Sequence, residues 1–370
     1  MNRLPETVLQ FGGGNFLRAF VDLFLHESNL ADENPGSAVV VQSTLSNRAE
    51  AINAQGGRYH VVLRGLVAGE PVDVTTEVTS VSRAVEARRN WQAVLEVARS
   101  TELGMIVSNT TEAGYQLAEG DTADSGAPES FPAKLLAVLR ARFEADLPGL
   151  SVLPCELVEP NGELLRDLVT RQAQAWNMDG RLIDWLHSEV RWANTLVDRI
   201  VSGRPDAHPL RESDALLTVA EPYALWVVQD EGRVPFAHSS IVSAADVRPY
   251  ALRKVRILNG AHTSLVCRTQ GTPIETVREA VSDPEVGPWL RDLIIEEIVP
   301  TLEGEVGDPQ GFAADVLERF ANPFLNHRLS DIALHHEEKV RVRLVPTYES
   351  YLEKFGKPPK RLSAVLEPYL

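Results

Sequence analysis

Apolar positions follow two different rhythms up to about residue 245. Short continuous apolar runs alternate with segments whose apolar residues recur every three or four positions. The runs predict buried strands of a parallel sheet and the spaced segments predict helices. Strands are predicted at Val8–Phe11, Ala38–Gln42, Met105–Ser108 and Leu150–Leu153, and helices at Asn15–Leu25, Trp91–Arg99, Lys134–Phe143 and Glu163–Trp176. Strands that alternate with helices predict a doubly wound α/β sheet.

Two regions depart from this alternation. Tyr59–Leu66 and Val72–Val81 are rich in Val and Thr, and Ala68–Pro71 supplies a turn between them, which predicts a hairpin. From about Asp246 onward the apolar residues keep helical spacing and convincing strands disappear. We therefore expect an α/β domain over residues 1–243 and a mainly helical domain over residues 244–370.

Composition narrows the class of protein. The 370 residues include 36 Lys and Arg against 52 Asp and Glu, a formal net charge of −16, which argues against nucleic acid or an anionic membrane as the main partner. No apolar run approaches the roughly 18 residues of a membrane span, and the start lacks the apolar core of a signal peptide. Cys155 and Cys267 are too few for a disulfide framework. We expect a cytoplasmic enzyme acting on a small molecule, as a monomer or small homo-oligomer.

A glycine turn joins the first strand to the first helix. Gly12 and Gly14 would let the backbone approach a pyrophosphate, and the helix start, with Asn15 and Phe16, would add N–H groups. Leu17 replaces the third glycine of the dinucleotide fingerprint, so a tight turn without a ligand stays open as an alternative. On the first interpretation residues 1–243 form a dinucleotide-binding domain.

Two further segments bear on the cofactor. An acidic residue at the end of the second predicted strand would favour NAD, but Gln42 and Ser43 stand there. The nearest basic residue, Arg48, is either a phosphate partner or a solvated loop arginine. NAD is nevertheless the favoured cofactor. Asn109 and Thr110 follow the third predicted strand of the sheet and could hold the nicotinamide ribose, or could form an ordinary turn that caps a helix.

One helical segment combines groups suited to proton transfer at a carbonyl or an alcohol. On an α-helix, His262 lies about 80° and Asn259 about 140° round the axis from Lys254. A partly desolvated Lys254 could act as general acid or base, Asn259 could donate to a developing alkoxide, and His262 could position the substrate oxygen. The alternative is a solvent-facing lysine, a helix break at Asn259 and a core histidine.

Five motifs together resemble the polyol-specific long-chain dehydrogenases, the mannitol dehydrogenase family. They lie at Phe11–Phe20, Ser108–Gly114, Pro154–Leu157 with Asn161-Gly162, Thr195–Ile200, and Lys254 with Asn259-Gly260 and His262. The resemblance runs from about residue 7 to about 365. It is greatest to the branch that interconverts tagaturonate and altronate. It implies a Rossmann-like doubly wound sheet domain, followed by a mainly α-helical C-terminal domain for the substrate and catalysis.

The resemblance also implies a mechanism, a metal-independent hydride transfer that uses NAD(H). The lysine that acts as general acid/base in this family matches Lys254. The oxyanion-binding asparagines match Asn259 and Asn194, and the histidine that orients the carbonyl matches His262. Lys339 falls on a family lysine that contacts substrate hydroxyls. A lysine base removes the need for zinc. The run from His335 to Glu338 could suggest a metal site, but it is interpreted as a solvated helix face.

The implied reaction is the reduction of tagaturonate to altronate by NADH. The substrate carboxylate would need a cation, and Lys339, Arg199 and Arg343 are candidates. Two alternatives stay open: a mannitol, sugar-alcohol, sugar-phosphate or fructuronate dehydrogenase, and a non-catalytic dinucleotide-binding protein. The sequence stops soon after residues 361–365, where the uronate reductases continue, so we expect a shortened C-terminal domain.

Overall fold

The computed structural model describes residues 4–110, 112–123, 126–230 and 234–369. The chain divides into two compact units. The α/β unit comprises the described residues of 1–63, 74–220 and 224–247, and the helical unit those of 64–73, 221–223 and 248–370. The predicted domain boundary follows residue 243, and the main division of the structure follows Val247. Thr111 of the second motif and Leu370 lie outside the described residues.

A six-stranded sheet organises the described part of the α/β unit. Its strands are β1 (Glu6–Phe11), β2 (Ser37–Gln42), β5 (Val81–Glu86), β6 (Met105–Ser108), β7 (Ser151–Pro154) and β8 (Arg191–Trp192). The order is β5-β2-β1-β6-β7-β8 and every pairing is parallel. This is the order of doubly wound dinucleotide-binding sheets, whose switch point lies between β1 and β6. The predicted fold class is confirmed.

Helices cover both faces of this sheet. They are α1 (Asn15–Arg18), α2 (Val21–Leu30), α3 (Arg48–Ala54), α4 (Trp91–Ala98), α5 (Phe131–Glu144), α6 (Asn161–Ala175) and α7 (Gly180–Ser188). Successive residues of one strand enter different cores, because Leu9 packs with α5 and α6 while Val8 packs with Phe24 of α2. Burial on both faces explains why these strands are continuous apolar runs.

The predicted helix over residues 15–25 is wrong in one respect, because it is two helices. α1 ends at Arg18 and α2 begins at Val21, with Phe20 between them at φ −131° and ψ −91°. The Arg199 guanidinium donates to the Ala19 carbonyl at 2.8 Å. A side chain 180 residues away thus supports the break, which local spacing cannot predict.

Two smaller sheets complete the strands. β3 (Tyr59–Val67), β4 (Glu70–Val78), β10 (Val201–Gly203) and β11 (Thr218–Ala220) form one in the order β10-β11-β3-β4, and β9 (Thr195–Asp198), β12 (Leu225–Gln229) and β13 (Ile241–Ala244) form the other in the order β13-β12-β9. The predicted hairpin is confirmed as β3 and β4, with Ala68 and Gly69 at φ 52° and 81° in the turn. Its second strand ends at Val78, however, and Val81 already belongs to β5 of the main sheet.

The helical unit confirms the change of character after residue 246. Its α-helices are α8 (Arg248–Arg253), α9 (Gly260–Thr269), α10 (Val277–Ser282), α11 (Val286–Asp292), α12 (Val299–Leu302), α13 (Pro309–Phe320), α14 (Leu329–Ile332), α15 (His336–Arg343), α16 (Val345–Phe355) and α17 (Lys360–Leu366). Two π-helical segments, Lys254–Asn259 and Leu293–Ile298, join α8 to α9 and α11 to α12. In the described residues, no helix is both long and apolar enough to traverse a bilayer.

Helix α9 lies in the apolar core of the helical unit. Ala261 and Leu265 are fully buried and share one core with Phe320 of α13, Leu344 and Leu362 of α17. That packing fixes the rotation of α9 about its own axis. The polar residues of the same segment therefore have defined directions.

Candidate active site

The glycine turn between β1 and α1 has the conformation that the sequence pattern suggests. Gly12 has φ +117°, and a Cβ there would lie 3.0 Å from the Asn109 carbonyl oxygen. A Cβ on Gly14 would meet nothing within 4 Å. Gly12 is therefore required by backbone conformation and a close approach. Gly14, in contrast, faces open space.

Side chains from the sheet and the helices hold the carbonyl groups of this turn. Gln10 donates to the Gly12 carbonyl at 3.1 Å, and Arg18 and Arg48 both donate to the Gly13 carbonyl at 3.2 Å. Arg48, weighed above as a phosphate partner or a solvated residue, is thus bound to the turn. These hydrogen bonds from Gln10, Arg18 and Arg48 hold the turn in its conformation without a ligand.

A cleft of about 500 Å³ opens beside the turn, at the carboxyl ends of β1, β2 and β6. Five predicted cofactor residues line it: Gly12, Gly14, Ser43, Asn109 and Thr110. This is the edge at which open α/β sheets bind their ligands.

Asn15 and Phe16, the other two predicted cofactor residues, are not among the cleft-lining residues described. The Asn15 side chain accepts from Arg18 at 2.7 Å, and the Phe16 ring stacks on Phe20 at a centroid distance of 4.8 Å. Their proposed contact with a cofactor stays a prediction.

The loop after β2 is organised by Gln42. Its side-chain amide donates to the carbonyls of Thr44 and Ser46 at 3.1 and 2.6 Å, and its oxygen accepts from the Ala49 N–H at 2.6 Å. Gln42 is buried. Gln42 occupies the position at which an acidic residue would favour NAD. Its hydrogen bonds shape the loop on which Ser43 lies.

Glu156 is a residue that sequence reasoning missed, although it lies in the Pro154–Leu157 motif. Its buried carboxylate accepts from the Ser108 hydroxyl at 3.0 Å, from the Thr110 N–H at 2.8 Å and hydroxyl at 3.1 Å, and from the Tyr115 hydroxyl at 3.4 Å. Burial raises the pKa of Glu156, and the hydrogen bonds from Ser108 and Thr110 oppose that shift. Glu156 thus holds the backbone and side chain of Thr110 at the cleft.

The Asn161-Gly162 motif acts in the same region. The Asn194 side-chain oxygen accepts from the N–H groups of Gly162 and Glu163 at 3.0 and 3.1 Å, and its amide donates to Glu163 at 2.9 Å. A Cβ on Gly162 would lie 2.5 Å from the Ala193 backbone. Asn194 is thus a buried helix cap of α6, and its predicted oxyanion contact stays a prediction.

A buried carboxylate behind the glycine turn gives a pH prediction. Asp22 accepts from Tyr59 at 2.8 Å and from Gln10 at 3.4 Å, and burial raises its pKa to about 6. The pKa of an Asp carboxyl in the unfolded chain is about 4. Between pH 4 and pH 6 Asp22 therefore binds more proton in the folded chain than in the unfolded chain, and its contribution to the free energy of unfolding falls as pH rises. In Asp22→Asn this fall, about 3 kcal/mol in total, should be absent.

Urea unfolding at pH 4 and pH 7 measures this difference. Asp184→Asn, at an exposed position of α7, is the matched control and should follow the wild type. Equal pH dependence in the wild type and Asp22→Asn would contradict the prediction.

In the helical unit, the predicted proton-transfer residues lie on and just after a π-helical segment. Lys254–Asn259 is π-helical and Gly260–Thr269 returns to α-helix. The expected 140° between Lys254 and Asn259 assumed an α-helix and is wrong for this segment. A π-helix bonds residue i to residue i+5, so Lys254 and Asn259 lie about one turn apart. Asn259 and His262 are about one α-helical turn apart.

His262 is enclosed by rings. It is 7% exposed, stacks on Phe320 at a centroid distance of 4.3 Å and meets the edge of His327 at 4.8 Å. Burial lowers its pKa well below the usual value, and the charges of His327 and three basic side chains add to this. In the described structure its buried Nε2 has no hydrogen-bond partner. A neutral imidazole with one free nitrogen can bind a substrate oxygen.

The candidate substrate residues lie in different places. Lys339 and Arg343, both on α15, belong to the helical unit, and their charges act on His262. Arg199 belongs to the α/β unit, where it is buried and bonded to Ala19. Over the described ranges, no group of three or more His, Cys, Asp or Glu side chains could hold a metal ion.

Comparison with known proteins agrees with these features. The Mannitol dehydrogenase Rossmann domain model matches residues 6–236, and the Mannitol dehydrogenase C-terminal domain model matches residues 246–366. The altronate oxidoreductase of Halalkalibacterium halodurans is 41% identical over 98% of this chain and 74% of its own length. That of Bacillus subtilis is 40% identical over 97% of this chain and 78% of its own.

Solved structures show the same fold. A D-sorbitol dehydrogenase in substrate-free form has a TM-score of 0.86 and 23% identity, over 99% of this chain and 80% of that one. Pseudomonas fluorescens mannitol 2-dehydrogenase, in a ternary complex with NAD and D-mannitol, has a TM-score of 0.78 and 23% identity, over 98% and 78%. The resemblance found in the sequence motifs is confirmed. The chain belongs to the mannitol dehydrogenase family and is an oxidoreductase.

Proposed function

We propose that this chain reduces a ketouronate to an aldonate with NADH, and specifically tagaturonate to altronate. The observation that carries the proposal is the set of Lys254, Asn259 and His262 within three helical turns, with an unpartnered buried His262 nitrogen. Relatives named altronate oxidoreductase, at 36–41% identity, support the choice of substrate.

NAD(H) fits the cleft of the α/β unit. Gly14 faces open space, where a pyrophosphate could approach the backbone without meeting a side chain. Asn109 and Thr110, held by Cys155 and Glu156, would position the nicotinamide ribose. When bound, NADH supplies the hydride that reduces the keto carbon. NAD rather than NADP remains the proposal because Arg48 is committed to Gly13.

The residues of the helical unit would handle the substrate oxygen and its proton. Neutral His262 would donate from Nε2 to the keto oxygen and orient the carbonyl. As the carbon is reduced, the oxygen becomes an alkoxide, the Asn259 amide stabilises it, and the Lys254 ammonium gives it a proton. In the oxidising direction Lys254 would accept the proton from the hydroxyl. Lys339 would contact substrate hydroxyls, and Asn194 is a second proposed oxyanion donor.

A substrate-panel assay tests the proposal. The disappearance of NADH is followed with tagaturonate, fructuronate, fructose, mannitol (with NAD) and fructose 6-phosphate, and repeated with NADPH. We expect the highest kcat/KM for tagaturonate with NADH. No turnover of either uronate would refute the proposal, and a preference for fructose or its phosphate would establish a polyol enzyme instead. Binding of NADH without turnover of any sugar would indicate a non-catalytic protein.

A further inference from the structure

Within the described part of the chain, two neighbouring cations on α15 have only neutral partners. The Lys339 ammonium donates to the Ile332 carbonyl at 2.8 Å, and the Arg343 guanidinium donates to the Thr263 hydroxyl at 3.3 Å. Considering the described residues alone, neither cation forms an ion pair with a carboxylate, and none contributes to the shift of either pKa. Each is therefore a partly buried positive charge that has no carboxylate partner among the residues that the structure describes.

The chain has 52 acidic residues against 36 basic ones, so carboxylate partners for cations are plentiful. Elsewhere in the helical unit, Arg319 pairs with Glu221 at 2.8 Å and Arg361 pairs with Asp292 at 2.6 Å. Lys339 and Arg343 also lie four residues apart on one helix, where like charges repel. Burial lowers both of their pKa values, and the Arg343 charge lowers that of Lys339 further. A bound anion would offset both the burial of these two charges and the repulsion between them.

The pair adjoins the proposed catalytic turn. Thr263, which accepts from Arg343, donates to the Asn259 carbonyl at 2.9 Å and follows His262 directly. The charges of Lys339 and Arg343 also act on the His262 ring. An anion bound here would belong to the molecule whose oxygen meets His262.

We propose that Arg343, assisted by Lys339, binds the carboxylate of the sugar acid and sets the preference for acids over neutral polyols. This rests on the proposed function. A guanidinium can bind a carboxylate through two parallel hydrogen bonds, which the ammonium of Lys339 cannot. Arg199, the other candidate, donates to the Ala19 carbonyl within the α/β unit.

Arg343→Gln tests this inference by comparing an acid with its neutral counterpart. Tagatose carries a hydroxymethyl group where tagaturonate carries the carboxylate. For tagaturonate we expect KM to rise about 10- to 100-fold, the usual loss for a hydrogen bond to a charged group, while kcat changes little. The kinetic constants for tagatose should change far less, because tagatose has no carboxylate for Arg343 to bind. Arg343→Lys should keep part of the preference, because it keeps the charge without the fork.

A binding measurement separates recognition from turnover. By calorimetry, altronate should bind Arg343→Gln about 10- to 100-fold more weakly, whereas the neutral alditol altritol should bind both proteins equally. Arg341→Gln, an exposed position on the same helix, is the matched control and should leave both affinities unchanged. Thermal unfolding checks that each variant is folded.

The outcomes are distinct. Equal losses for the acid and the neutral ligand would assign Arg343 a structural role and overturn the inference while the proposed function stands. A loss confined to fructose 6-phosphate would replace the carboxylate with a phosphate and also overturn it. A wild type that reduces only neutral ketoses would refute the proposed function itself, and the inference with it.

Discussion

Replacing Lys254 with alanine is expected to lower kcat about 10²- to 10⁴-fold, the usual contribution of a positioned general acid or base. The substrate oxygen would still meet His262 and Asn259, but no group would deliver the proton as the alkoxide forms. NADH affinity should be unchanged, because the cleft is lined by residues of the α/β unit. Steady-state kinetics and a fluorescence titration with NADH measure the two quantities separately.

Controls make this expectation specific. Lys357→Ala removes an exposed lysine from the same unit and should leave kcat unchanged. Small primary amines added to Lys254→Ala should restore part of the rate, since they replace the missing acid. A Lys254→Ala variant that keeps wild-type kcat would remove Lys254 from the mechanism. Absence of turnover in both proteins with every sugar acid would favour a binding protein.

Exchanging Gly14 for alanine is expected to weaken NADH binding about 5- to 150-fold without lowering the melting temperature. Apart from its chain neighbours and its own helix backbone, the added methyl group meets none of the described atoms within 4 Å, so the free chain is not strained. It would instead occupy the space proposed for the pyrophosphate, at the roughly 1–3 kcal/mol that an extra methyl group costs in a filled site. A fluorescence titration with NADH and thermal unfolding measure the two effects.

Gly12→Ala is the matched comparison on the same turn. Alanine at φ +117° is strained, and its Cβ would lie 3.0 Å from the Asn109 carbonyl, so this variant should lose stability as well as affinity. If Gly14→Ala bound NADH as tightly as the wild type, the turn would be a strand-to-helix connection that does not contact the pyrophosphate. The pair therefore separates the two interpretations that the sequence left open.

The main sheet was predictable because its strands are buried on both faces. The strands at Val8–Phe11 and Met105–Ser108 are continuous apolar runs and do not alternate apolar with polar residues. This pattern differs from the helical spacing of the segments between them. The short strands β9 to β13 carry no such signal, since three to five residues pair across long separations. Apolar spacing alone could not separate them from loops.

The candidate site was predictable in its segments but not in its contacts. The glycine pattern predicted the position of the cleft, because a backbone position with positive φ and a close contact to another backbone atom requires glycine. Glu156 left no local trace, since its function depends on donors from Ser108, Thr110 and Tyr115, about 40 to 50 residues away. The same holds for Asn194, whose partners lie over 30 residues upstream.

The π-helical segment also has a consequence for comparing sequences in this family. It holds about one residue more per turn than the α-helices on either side, so α8 and α9 are offset by one residue in sequence although the extra residue does not turn one helix relative to the other. Deleting any one of residues 255–258 would let the whole stretch wind as α-helix with Lys254 and His262 seven residues, or about 700°, apart, so that the two residues still share a face. A relative with a single-residue gap here would therefore keep both residues on one face, whereas a relative of equal length that is α-helical throughout would have them about 80° apart. The winding of this segment is thus as informative about shared chemistry as the identity of its residues.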